Sequence, residues 1–226
     1  MIDLKQFESR FQSFRKFDYQ SYPNCFGEFW KWKLITETKS EHILDAEHIK
    51  KKYGILSETL KIWQWHRPYS FSRLAKRLKG ALEKICDAYN QIRSYSLLEF
   101  NEVPNEPLKL IWHELGCVKK GEEKNPSGYY LVMPITKPLM ILWGQTLAFD
   151  SRVRKHMPKF NISGLRTDYW SFGTWKKVMI KFQESLKQQS EVVSLFEEVS
   201  KKEYGIKSSV PYGQFLDLYY WVEGKC

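Results

Sequence analysis

Between Phe71 and Arg93, apolar side chains recur at every third or fourth position: Phe71, Leu74, Leu78, Ala81, Leu82, Ile85, Ala88, Tyr89 and Ile92. That interval matches the 3.6-residue turn of an α-helix and puts all of them on one face. A helix over 71–93 carrying so long an apolar stripe must bury it against another element, and this requirement constrains the fold more than any other feature of the chain. Arg73, Lys76, Arg77, Lys79 and Lys84 fall on the opposite face, a pattern that suits solvent first and phosphate contact second.

The rest of the chain offers mainly further helices as partners. Leu4, Phe7, Phe11 and Phe14 repeat the helical interval over 3–18. Residues 19–36 are aromatic but are broken by Pro23 and Gly27, which predicts an irregular packed segment with a short helix near Phe29. Asp45 and Gly54 bracket a helix that ends in Lys50-Lys51-Lys52-Tyr53, with acid first and base last as the helix dipole favours. Ser57 reads as the cap of the next helix, through about Trp65, and Pro107 opens a short helix ending near Gly116.

Thr136 to Trp143 reads as an apolar helix stopped by Gly144, with Pro138 in its first turn. Asp168 is expected to cap a helix through about Lys187, and Ser190 another ending at Gly205. Pro211 opens a last helix with Phe215, Leu218, Tyr219 and Val222 on one face. Tyr129 to Met133 has strand propensity, but no partner strand is visible, so it reads as helical or irregular. Residues 117–128 are polar and contain Gly121, Pro126 and Gly128, as a loop does. The expected fold is all-α: one compact helical domain over 1–226, a helical bundle in which two lobes would join near 117–128.

Positive charge is concentrated in this chain. Lys and Arg number 36 against 26 Asp and Glu, a balance of +10, and residues 136–181 hold nine of the cations against only Asp150 and Asp168. Such a patch suits a phosphate backbone, because neutralising phosphates releases condensed counterions. Arg152, Arg154, Lys155 and Lys159 are the candidate phosphate contacts, and Lys137 and Ser151 are further candidate nucleic-acid-binding residues. Trp143 is a candidate surface for a base, and Tyr169 a second. Asp150 stands just before the cations and admits two readings. It can be a helix N-cap, or a catalytic carboxylate aimed at cationic charge that develops on a bound nucleotide.

Cys25, Cys86, Cys117 and Cys226 form no CxxC pair, and the five histidines show no HExxH spacing, so neither structural zinc nor another metal or cofactor is expected. The first residues lead into a charged segment without an apolar signal region, and no apolar run has membrane-spanning length. These features point to a reduced, cytoplasmic protein without a membrane partner.

The run Thr136-Lys137-Pro138-Leu139-Met140-Ile141-Leu142-Trp143, followed by Phe149-Asp150-Ser151-Arg152-Val153, resembles the approach to the aspartate in helix-hairpin-helix DNA glycosylases. Phe215-Leu216-Asp217-Leu218-Tyr219-Tyr220-Trp221 resembles the last helix of divergent members of that superfamily. The resemblance implies a two-lobed helical fold with DNA between the lobes, and N-glycosidic cleavage of a flipped base assisted by Asp150. One departure stands out. The family's glycine-rich hairpin is replaced by Asn125-Pro126-Ser127-Gly128-Tyr129, which lacks the second glycine that would help hold a phosphate.

Other readings stay open beside it. The same chain could bind nucleic acid without chemistry, or act as a basic module for an acidic protein partner. Arg152-Val153-Arg154-Lys155-His156 is also similar to the Arg-x4-6-His motif of HEPN ribonucleases, one residue short.

Overall fold

A computed structural model describes residues 2–3, 5–7, 9, 53–54, 56–61, 70–120, 128–162, 165, 167–204 and 210–223. The irregular segment expected over 19–36, most of the helices expected over 3–18 and 45–53, and residues 121–127 of the polar loop expected over 117–128 lie outside these residues, whereas residues 117–120 are helical and not part of a loop. Helical residues at 56–61 bury Leu56 and Leu60. Ser57 does not begin that helix, since its hydroxyl donates to the Gly54 carbonyl at 2.9 Å.

The apolar stripe over 71–93 forms α1 (Phe71–Ile92), and its interior positions from Leu74 to Ile92 are buried. It packs on α2 (Asn105–Lys120). Two cations from its charged side are engaged there: Lys84 pairs with Glu114 at 3.1 Å, and Arg77 donates to the Val118 carbonyl at 3.4 Å. A 3-10 helix, Leu97–Glu102, joins α1 to α2.

Tyr129 to Leu131 does form a strand, β1, contrary to the helical or irregular expectation. Its partner is β2 (Tyr169–Ser171), antiparallel, with Tyr130 opposite Trp170. Both strands are three residues long, too short to carry an alternating signal of their own. The ribbon feeds straight into the next helices. Val132 N–H donates to the Asp168 carbonyl at 3.0 Å, so α3 (Val132–Trp143) starts four residues earlier than its apolar run suggests, and Pro138 lies inside it. After β2, Ser171 caps α5 (Phe172–Lys187) by accepting from Thr174 N–H at 3.0 Å; Asp168, the expected cap, lies before the strand. A short helix, α4 (Ser151–His156), lies between α3 and β2. α6 (Ser190–Tyr204) and α7 (Tyr212–Glu223) complete the described chain, which is mostly helical.

α7 is not amphipathic. Every residue from Pro211 to Tyr220 is buried, as in a helix at the centre of a core. Phe7, from the N-terminal segment, packs on it through Phe215 and on α6 through Phe196, at 6.1 and 4.8 Å between ring centres. The large aromatics fill this interior: Trp143, Trp170 and Trp175 are all fully buried, and Trp175 stacks on Trp112 at 5.2 Å.

The first turn of α7 lies directly against the chain that follows α3. A Cβ built on Gly213 would overlap Thr146 N and the Gln145 carbonyl carbon, and would stand 2.7 Å from the Thr146 carbonyl carbon. Backbone atoms on both sides cannot swing away as a side chain can. Gly213→Ala is therefore expected to cost about 2 kcal/mol of folding stability by overpacking, read as a lower urea midpoint. An unchanged midpoint would show that the contact is looser than described.

Candidate catalytic carboxylate and basic helix

α3 is apolar apart from Thr136 and Lys137, and it ends where Gly144 takes the left-handed conformation (φ 76°) and donates to the Met140 carbonyl at 2.8 Å. The chain then returns through Gln145 to Phe149, all of it buried. A buried connection must satisfy its polar groups internally, and here side chains perform that task. Gln145 Oε1 accepts from Leu97 N–H at 2.8 Å, while its Nε2 donates to the Val210 carbonyl at 2.9 Å. Thr136 Oγ1 lies 2.6 Å from the Ala148 carbonyl, and Asp217 Oδ1, from α7, accepts Ala148 N–H at 2.7 Å.

Phe149 makes the final turn at φ 48°, a conformation costly for any residue with a side chain. The turn sends its ring inward, 4.9 Å from Trp170, and delivers Asp150 to the start of α4. Asp150 Oδ1 accepts from Arg152 N–H and Val153 N–H, each at 3.0 Å. The cap reading of Asp150 is thus met by geometry. Asp150 is only half-buried, so a carboxylate held by two backbone donors also borders solvent.

Lys137, on α3, is half-buried and within the field of both Asp150 and Asp217. Burial lowers the pKa of its ammonium below the ordinary lysine value, and the Asp150 and Asp217 carboxylates oppose that shift. These three residues come from separate segments, and the turn at Gly144 to Phe149 brings them together. Asp217 has a buried carboxylate in an otherwise apolar helix, yet sequence reasoning gave it no role. Its position inside Phe215-Leu216-Asp217-Leu218-Tyr219 was the available signal, since a buried acid calls for a partner.

The basic residues separate into two groups. Ser151, Arg152, Lys155 and Lys159 are exposed, with the Arg152 guanidinium 5.0 Å from the Trp221 ring centre. Arg154 is committed to the fold. It donates to the Phe149 carbonyl at 3.1 Å and the Thr167 carbonyl at 3.3 Å, and pairs with Asp168 at 2.5 Å. Trp143, expected to meet a base, is instead a core residue with no exposed surface, its indole N–H donating to the Tyr95 carbonyl at 3.1 Å. Tyr169 keeps an exposed side chain on β2.

Among the described residues no helix is long and apolar enough to cross a membrane, and no three metal-ligating side chains come together. No family model matches this chain, and neither a curated protein nor a solved structure matches it.

Proposed function

We propose that this chain binds nucleic acid, DNA by preference, on the exposed side of α4 and that Asp150 assists cleavage of an N-glycosidic bond there. The observation that carries the proposal is the placement of Asp150: a solvent-bordering carboxylate fixed at the start of a helix whose exposed side bears Arg152 and Lys155. As a base departs, positive charge develops on the sugar, and a fixed carboxylate at that point stabilises it or orients the water that adds to the anomeric carbon. The leaving base takes up a proton and the sugar retains the hydroxyl. The target must first leave the stack, and exposed Tyr169 is a better surface for that step than buried Trp143.

Resemblance to helix-hairpin-helix glycosylases supports the same chemistry. The hairpin departure weighs on the side of binding alone, and so does the cap geometry, because the two N–H bonds already give Asp150 a structural use. Non-catalytic nucleic-acid binding is therefore the second reading.

Both readings require salt-dependent binding. If about four phosphates are neutralised on duplex DNA, log affinity should fall with log salt at a slope near −3.6, and Arg152→Ala with Lys155→Ala should reduce the slope to about −1.8. Both side chains are exposed, so the double variant should keep its folding stability. A flat salt response in the wild-type protein would remove nucleic acid as the partner.

A further inference from the structure

Away from Asp150, three side chains converge where β1 meets α2. His113 and Cys117 are four residues apart on one side of α2, with Cys117 Sγ 3.9 Å from His113 Nε2, the outer range for a sulfur hydrogen bond. The Tyr130 hydroxyl from β1 lies 2.6 Å from His113 Nδ1 and also interacts with Cys117; burial first, and then that thiol, push the phenol pKa up to about 12. Gly116 makes this approach possible, since a Cβ there would stand 2.6 Å from the Tyr130 ring. The nearby acid Glu114 is occupied by Lys84 at 3.1 Å.

We propose that Cys117, His113 and Tyr130 form a nucleophilic thiol site that reacts with small hydroperoxides. The arrangement has a nucleophile, a base within reach and a third group that orients the base. A phenol suits the third place because it can partner both states of the ring. It accepts N–H from Nδ1 in the neutral tautomer that leaves Nε2 unprotonated and able to act as base, and goes on accepting it once Nε2 has taken the thiol proton. In the reactive step the thiol proton passes to Nε2, and the thiolate sulfur attacks one peroxide oxygen as the O–O bond breaks. The imidazolium returns its proton to the departing oxygen. Cys117 is oxidised by two electrons to the sulfenic acid and the hydroperoxide is reduced to water or an alcohol. The half-buried thiol and the exposed His113 leave an approach for a small, uncharged reagent.

Iodoacetamide labelling of the full-length folded protein, resolved by peptide mass spectrometry, measures nucleophilicity at each cysteine, and hydrogen peroxide with dimedone traps the sulfenic acid. Cys86, another half-buried cysteine that is not in a disulfide, serves as the internal reference. Cys117 should label about tenfold faster than Cys86 and should carry the dimedone adduct. His113→Gln should bring its rate down to that of Cys86, and Tyr130→Phe should slow it severalfold, with an unchanged circular-dichroism spectrum confirming the fold. Equal labelling of Cys117 and Cys86 in the wild-type protein, or an unchanged Cys117 rate in folded His113→Gln, would overturn the proposal.

Discussion

Asp217→Ala should lower folding stability by about 3 kcal/mol, in the range expected when a buried carboxylate that holds a core backbone donor and faces a cation is removed. The reason lies in two debts that this carboxylate settles at once. It is 2 % exposed and accepts Ala148 N–H at 2.7 Å, so truncation strands a backbone donor in the core. It also supports the charge on Lys137, whose ammonium burial already disfavours. The amine can shed its proton in the variant, which limits the penalty and moves the Lys137 pKa further down. Asp217→Asn separates the two effects, because the amide oxygen can still accept from Ala148 while the negative charge is gone; it should lose roughly half as much. Urea unfolding at neutral pH reads both variants. A change within about 0.5 kcal/mol for Asp217→Ala, the range of an ordinary surface substitution, would show that the carboxylate does not brace the turn.

That bracing explains which parts of the molecule could be read from sequence. α1 follows its apolar interval almost to the residue, because the signal for an amphipathic helix is local and long. The Gly144 stop and the Asp150 cap were equally legible, each depending on residues within one turn. Asp168 offered the same local signal and did not become a cap. Its carboxylate pairs with Arg154, strand pairing takes the next three residues, and Ser171 begins the helix instead. Tertiary pairing likewise sets the start of α3, through Val132 and Asp168.

The candidate site was legible only in its linear part. Asp150 and the cations after it are adjacent in sequence, but Asp217 meets Ala148 across 69 positions, and nothing in the spacing of residues announces such a contact. Arg154 and Trp143 were indistinguishable by type from surface ligands. The first was claimed by two carbonyls and Asp168, the second by the core and the Tyr95 carbonyl. Charge and aromaticity identify residues able to touch a nucleic acid, and packing decides which of them remain available.

Asp150→Asn separates catalysis from capping. Asparagine caps a helix about as well as aspartate, so the variant should stay folded, losing about 1 kcal/mol with the negative charge that helps keep Lys137 protonated, and its DNA affinity should stay within about 0.5 kcal/mol. It cannot supply the negative charge that stabilises a sugar cation, so base release should fall about 100-fold or more. The direct measurement is single-turnover base release from duplex oligonucleotides carrying a panel of damaged and mismatched bases, with affinity measured on the same duplexes. The account predicts release by the wild-type protein from at least one duplex and loss of that release in Asp150→Asn at unchanged affinity. Equal release by the two proteins, or no release by the wild-type protein from any duplex it binds, would contradict a catalytic Asp150.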